Sequence, residues 1–129
     1  MKRKLLFLFL VFILVACASE EEKLRQRIEK YWSLRINGQL AEAYKYEYPL
    51  FRKKVDLNAY ISTRNNPLAR YRKAKILALS FPEKDVAQVE MEFEIEILFS
   101  HAKKPLVTTI KRKEKWVKVD GKWYHVPAQ

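Results

Sequence analysis

Between residues 112 and 125 the chain gathers side chains that could carry chemistry: the guanidinium of Arg112, the carboxylate of Glu114, the indole of Trp116 and the imidazole of His125. Imidazole is the side chain that titrates near neutrality, and a neighbouring carboxylate and arginine tune it by charge and by burial, so such a set could do acid and base work. If the stretch folds as a hairpin on the two-residue turn Asp120-Gly121, Trp116 stands opposite His125 and Lys118 opposite Trp123, on the same side as Arg112 and Glu114. A simpler reading leaves His125 solvated at a sheet edge and makes Arg112 and Glu114 an ion pair at a pocket rim. Tyr44, Tyr48 and Tyr60, with Tyr31, complete the candidate pocket, either as hydroxyls in a cavity or as core fillers with one satisfied hydroxyl each. No metal and no cofactor is expected: His101 and His125 lie far apart with no helical pair of ligands, and Cys17 is the only cysteine, which also excludes an internal disulfide.

Strands must position these groups. Val89, Met91, Phe93, Ile95, Ile97 and Phe99 alternate with Glu90, Glu92, Glu94 and Glu96, the period of a half-buried strand. A second arm, Leu106 to Val119, follows the breaker Pro105. Pairing Phe99 with Leu106 sets Glu94 opposite Lys111, Glu92 opposite Lys113 and Glu90 opposite Lys115, each pair worth roughly 0.2 to 1 kcal/mol. A slip by two keeps the facing and loses only some of the pairs. The same register turns Arg112 and Glu114 onto the face of Met91 and Phe93, which implies either a face partly open to a ligand or a bulge. Strands are expected over Tyr71 to Phe81, Asp85 to Phe99, Leu106 to Val119 and Lys122 to Val126.

The preceding residues read as helices. Ser19 caps the first, Glu20 to Glu22 suit its positive end, Leu24, Ile28, Tyr31 and Trp32 form its stripe, and Asn37-Gly38 end it. A second covers about Gln39 to Tyr48, with Leu40, Ala43, Tyr44 and Glu47 or Tyr48 on one side, stopped by Pro49. Leu50 to Lys54 is a short irregular or helical piece with Phe51 turned inward. Asp56 caps a third helix, Leu57 to about Arg64, burying Leu57, Tyr60 and Ile61, and Asn65 to Pro67 form a turn. Three helices followed by a four-stranded antiparallel meander make an α+β domain, helices packed on a curved sheet.

At 129 residues, 49% hydrophobic and 13% aromatic, the chain builds one core without staples. Its formal charge is +11, and Lys2, Arg3 and Lys4 carry three of those charges, leaving +8 on the remainder. The basic residues are mixed with glutamate throughout, which reads first as a solvated basic surface and second as attraction to an anionic membrane or polyanion, and a nucleic-acid partner is not expected. Residues 1 to 16 have the anatomy of a secretory signal: a basic start, then the apolar run Leu5 to Val15, too short to span a bilayer. Leu14, Val15, Ala16 and Cys17 resemble the lipobox of bacterial lipoproteins, which implies fatty acylation (palmitate-type chains) at Cys17 and tethering through residues 17 to 22. Five residues after the cysteine reach at most roughly 18 Å, which keeps the domain close to the lipid. Ala18 and Ser19 lack the aspartate of inner-membrane retention, so the periplasmic side of the outer membrane is implied for a Gram-negative host.

Residues 23 to 129 form the single domain. The order of its elements, with Trp32, Gly38 to Ala43, Tyr44 to Pro49, Phe51, Arg52 and Trp116 to Tyr124, resembles the nuclear transport factor two-like superfamily, cone-shaped domains that include ketosteroid isomerase-like enzymes and many bacterial lipoproteins. The resemblance implies a bent sheet around the first helix, a pocket, and often a dimer through the open sheet face. The catalytic set of that superfamily does not carry over, because Asp56 reads as a cap and Asp85 and Asp120 as turn residues. The function expected is therefore a non-catalytic, membrane-anchored envelope protein that binds a small apolar ligand or a protein partner. The alternatives are an isomerase or hydrolase built on His125, Glu114, Arg112 and a tyrosine, and a structural subunit that forms a homodimer or envelope complex through an apolar sheet face.

Overall fold

The computed structural model describes residues 20–99, 101 and 103–128. The leader, Cys17 and the Ser19 cap lie outside these residues. Helix α1 covers residues 20–36 and buries Leu24, Ile28, Tyr31, Trp32 and Leu34. It stops where Gly38 takes a positive φ of 75°, a conformation that costs glycine nothing, and where the Gln39 N–H returns to the Leu34 carbonyl at 2.9 Å. Among the described residues there are four helices rather than three, because the short piece after Tyr48 is a regular turn and a half: α2 Leu40–Tyr44, α3 Pro49–Lys54 and α4 Leu57–Arg64. Asp56 caps α4, accepting from the Ala59 N–H at 2.8 Å. Tyr60 is buried as expected, while Leu57 lies exposed. No helix among the described residues is long and apolar enough to cross a membrane.

Four antiparallel strands follow in the order β1-β2-β3-β4: β1 Ala69–Glu83, β2 Val86–Ile97, β3 Leu106–Val119 and β4 Lys122–Val126. The sheet is curved and open, and the domain is α+β. The β3–β4 turn is the expected two-residue one, with Asp120 at φ 50° and Gly121 at φ 81°. The β2–β3 register differs by two residues from the Phe99–Leu106 pairing. Ile97 pairs with Leu106, which sets Glu92 opposite Lys111, Glu90 opposite Lys113 and Gln88 opposite Lys115. The pairing stops at Ile97 because the next N–H, of Leu98, is drawn to the Leu68 carbonyl at 2.7 Å, and Phe99 then leaves the sheet exposed. Glu94, now across from Thr109, leans toward Lys73 of β1 at 3.9 Å, and the buried Glu96 is held by Arg70 at 2.6 Å.

The two faces of the sheet are therefore distinct. Inward point Ala87, Val89, Met91 and Phe93 of β2, with Trp116 and Trp123, and α1 covers them. Each fully buried large side chain there contributes roughly 1.5 to 3 kcal/mol. Outward, the glutamates of β2 run between Arg70, Lys73 and Lys75 of β1 and Lys111, Lys113 and Lys115 of β3, so this face is charged rather than apolar. β1, at the edge, meets β2 with register shifts between Tyr71 and Lys73, Ile76 and Ala78, and Ser80 and Glu83. No bulge rotates β3, and Arg112 opposite Met91 and Glu114 opposite Val89 take the inward face, where the helices leave a cleft.

Candidate functional site

Three segments meet at His125. β4 places it opposite Trp116, and Glu114, two residues earlier on β3, shares its face. The third segment was not legible as such from the sequence: α2 ends at Tyr44 instead of continuing to Tyr48, a turn follows at Lys45 and Tyr46, and Glu47 and Tyr48 then run beside β4. The His125 N–H donates to the Tyr46 carbonyl at 2.9 Å and the Tyr48 N–H to the His125 carbonyl at 2.8 Å, a parallel bridge that puts Glu47 alongside His125. The cause is local. Pro49 pushes the residue before it out of the helical region, and Tyr48 has φ −52°, ψ 133°.

Glu47, fully buried, then receives His125 Nδ1 at 3.0 Å from each of its oxygens, and Glu114 Oε2 receives Nε2 at 3.1 Å. A ring that donates from both nitrogens is an imidazolium. Burial alone lowers the pKa of His125, but the hydrogen bonds and charges of Glu114 and Glu47 outweigh it and raise it to about 9. Tyr60 donates its hydroxyl to Glu47 Oε1 at 3.3 Å, and Trp32 Nε1 donates to Glu114 Oε1 at 3.0 Å. Tyr31 stacks on the imidazole with centroids 4.7 Å apart. Its hydroxyl accepts from Arg35 at 2.8 Å and is pushed well above the ordinary tyrosine range, mainly by burial. Burial, then Glu47, raise Tyr60 to about 12. Two carboxylates, one imidazolium and the Arg35 guanidinium leave the cluster close to neutral, which is how four charged groups persist in one interior.

Above the cluster lies a cleft of about 560 Å³, walled by Trp32, Tyr71, Thr63 and Val126, with Glu114 and His125 at its floor. Arg35, Arg64 and Arg112 also line it, and a neighbouring cavity of about 580 Å³ shares all three. Arg35 lies over Trp32 at 4.9 Å, Arg64 over Tyr60 at 4.1 Å, and Arg112 over Tyr71 at 5.9 Å with a hydrogen bond to the Tyr71 hydroxyl at 2.7 Å. Among the described residues none of these arginines makes a salt bridge. Each keeps donors for something else.

The residues expected to line a pocket divide. Arg112, Glu114 and His125 line the cleft, and Tyr60 stands behind it on Glu47. Arg112 and Glu114 do not form the expected ion pair, since Glu114 is committed to His125 and Trp32. Nor is His125 solvated: it is 7% exposed. Trp116 is core, fully buried, with no hydrogen-bond partner for its Nε1 among the described residues. Tyr44 fastens the α3–α4 connection, donating to the Arg52 and Val55 carbonyls at 3.0 and 2.6 Å, and Tyr48 contributes backbone only to the bridge. Glu47, Arg35 and Arg64 were missed. Pro49, which disfavours a helical residue before it, was the available sign that the chain leaves the helix ahead of Tyr48, whereas Arg35 and Arg64 read as ordinary polar positions of helices. Among the described residues no His, Cys, Asp and Glu group is arranged to hold a metal ion.

No family model and no curated protein matches this chain. Solved structures do. A SEC-C motif-containing protein of Rhodopseudomonas palustris superposes with a TM-score of 0.62 at 11% identity, over 80% of this chain and 74% of that one. A SEC-C motif-containing protein of Psychrobacter arcticus gives 0.63 at 14% identity, over 81% of this chain and 59% of that one. The CaMKII hub homology domain of Chlamydomonas reinhardtii gives 0.53 at 16% identity, over 83% and 93%. The likeness is one of fold. It also corrects the resemblance drawn from the sequence: the neighbours are SEC-C motif-containing proteins and a hub domain, not nuclear transport factor two-like lipoproteins. The element order that suggested those lipoproteins belongs to this wider set of helix-on-sheet domains and does not single them out.

Proposed function

We propose that the domain is a non-catalytic binding module whose cleft takes a small organic anion with a flat apolar body. The observation that carries this reading is the convergence of Arg35, Arg64 and Arg112, unpaired with carboxylates among the described residues, on one aromatic-walled cleft of about 560 Å³. That volume suits a small ligand. Guanidinium groups bind carboxylate or phosphate oxygens bidentately while Trp32 and Tyr71 offer surface for a ring. The purely apolar ligand suggested by the sequence fits less well, since it would strip water from three cations and give nothing back. Catalysis at His125 is disfavoured by its own bonds: both ring nitrogens are engaged by carboxylates, which leaves no lone pair for a substrate proton. His125 braces the floor of the cleft in this reading.

The test is a titration of the full chain with sodium benzoate and, separately, inorganic phosphate, read by the arginine Nε–H resonances. Saturable shifts are expected for Arg35, Arg64 and Arg112 with benzoate, weaker with phosphate. Arg112→Ala, at an exposed position, should cost at least about tenfold in affinity without changing the melting temperature. Unchanged arginine signals with both anions would sink the proposal.

Anchoring is a separate part of the proposal and rests on residues 1 to 17 alone. Their basic start, apolar run and Leu14-Val15-Ala16-Cys17 sequence support export and fatty acylation of Cys17, which would hold the cleft at a bacterial membrane surface. Cys17→Ser should release the chain from membranes on a salt wash. A variant that survives a salt wash on the membrane would rule out the lipid anchor.

A further inference from the structure

One end of the sheet is unlike the rest of the surface. At the β2–β3 hairpin, Leu98, Phe99, Leu106 and Val107 are 43%, 56%, 50% and 41% exposed, and the adjoining α4–β1 turn adds Leu68 at 57%. The Leu98 N–H to Leu68 carbonyl bond, at 2.7 Å, joins turn and hairpin into one end. The charges there have one sign. The sequence holds no Asp or Glu from Leu57 to Pro82 or from Ile97 to Ile110, while Lys103 and Lys104 sit in the hairpin loop itself. The nearest carboxylates, Glu96 and Glu94, are directed to Arg70 and Lys73. Acidic residues gather instead at the opposite end of the sheet, where Glu83 and Asp85 flank the β1–β2 turn and Asp120 the β3–β4 turn, and where Glu20 meets Lys118 at 2.9 Å.

We propose that this hairpin end is a membrane-docking tip, setting Leu68, Leu98, Phe99 and Leu106 among the outer acyl segments of an anionic phospholipid bilayer while Lys103 and Lys104 meet headgroup phosphates. Three features select lipid over a protein surface. The exposed groups are aliphatic and aromatic side chains clustered at the end of a hairpin, of which Leu98 also lines the cavity beside the cleft. They are bordered by lysines whose long stems place the charge above buried methylenes. Finally, no carboxylate lies in the hairpin segment to be repelled by phosphate or to need a basic partner. Anionic headgroups attract each such lysine enough to raise partitioning about fivefold, an effect that salt screens.

The tip lies at the far end of the sheet from Glu20. β3 runs the fourteen residues from Leu106 to Val119 between the hairpin and the end that holds Glu20. At about 3.3 Å per residue that is roughly 45 Å. A chain held by lipid at Cys17 and by this tip would therefore lie along the bilayer rather than stand on it.

The test uses the full chain with Phe99→Trp, an exposed position where the larger ring meets no packing limit. The three native tryptophans are at most 3% exposed and give a fixed background, and the probe reports the tip even if the leader partitions by itself. Vesicles are phosphatidylcholine alone or mixed in equal parts with phosphatidylglycerol, with brominated acyl chains as quencher. The expected result is a blue shift and quenching of the tip indole on the anionic vesicles only, reversed by high salt. Lys103→Gln with Lys104→Gln should weaken that partitioning by about twenty-five-fold. The proposal is overturned if the indole stays water-exposed and unquenched on both vesicle types. It is equally overturned if its emission shifts with protein concentration in the absence of lipid, which would assign the tip to a second copy of the chain.

Discussion

The imidazolium of His125 ties the stability of the fold to pH. Its two hydrogen-bonded carboxylates, Glu47 and Glu114, hold its pKa at about 9, against 6.5 for a free side chain. A shift of that size corresponds to about 3 kcal/mol of stability. The sign follows from which state holds the proton more tightly. The folded state does, so the contribution is complete below pH 6.5 and is lost as the pH climbs through about 9. Tyr60, held at about 12, stays protonated through that window, so the loss belongs to the histidine. Urea unfolding followed by tryptophan emission should give a midpoint that falls steadily between pH 6.5 and about 9. His125→Phe keeps a ring against Tyr31 but leaves Glu47 and Glu114 without their shared donor. It should be less stable at neutral pH and show a flatter profile. A midpoint that does not fall across the window, or an imidazole found neutral at pH 7.5 by nitrogen shifts, would refute the two-carboxylate bridge.

Other perturbations test separate parts of the argument. Glu47→Gln leaves a buried imidazolium with one anionic partner and should cost about 3 kcal/mol at neutral pH in the same urea assay, with a shallower pH slope. Trp32→Phe deprives Glu114 Oε1 of its donor and should cost about 1 to 3 kcal/mol beyond lost packing, whereas Trp116→Phe has no hydrogen bond to lose, so the first should lower the melting temperature more than the second. Gly121→Ala, at φ 81°, should cost about 1 kcal/mol in the same thermal scan, because a side chain there enters the left-handed region.

What the sequence made legible followed from period and punctuation. The apolar stripe of α1, the Asp56 cap, the Asp120-Gly121 turn and all four strands depend on neighbours a few residues away, and local rules reach that far. The inward turn of Arg112 and Glu114 was visible for the same reason, since alternation along β3 survives a slip by two. The slip itself was not visible, because the Leu98–Leu68 bond that accompanies it joins segments thirty residues apart. The floor of the cleft failed at one residue. Glu47 sits where a helical stripe continued to Tyr48 fits the letters, and only the backbone pairing with His125 takes it out of the helix. The three arginines converge from α1, α4 and β3, a juxtaposition that no local pattern encodes.

β1 is the longest strand of the sheet and has a neighbour on one side only. Fifteen residues of open backbone would ordinarily invite another strand to add to it. The register shifts within its pairing interrupt the regular spacing that an incoming strand would have to match. Pro82 removes one donor near its end, and Arg70, Arg72, Lys73 and Lys75 crowd like charge along its first half. A second copy of the same edge would meet these charges head-on and out of step. The irregularities of β1 thus act as protection against edge-to-edge aggregation, so that straightening the strand or neutralising its lysines would favour fibrous assembly before it disturbed the cleft.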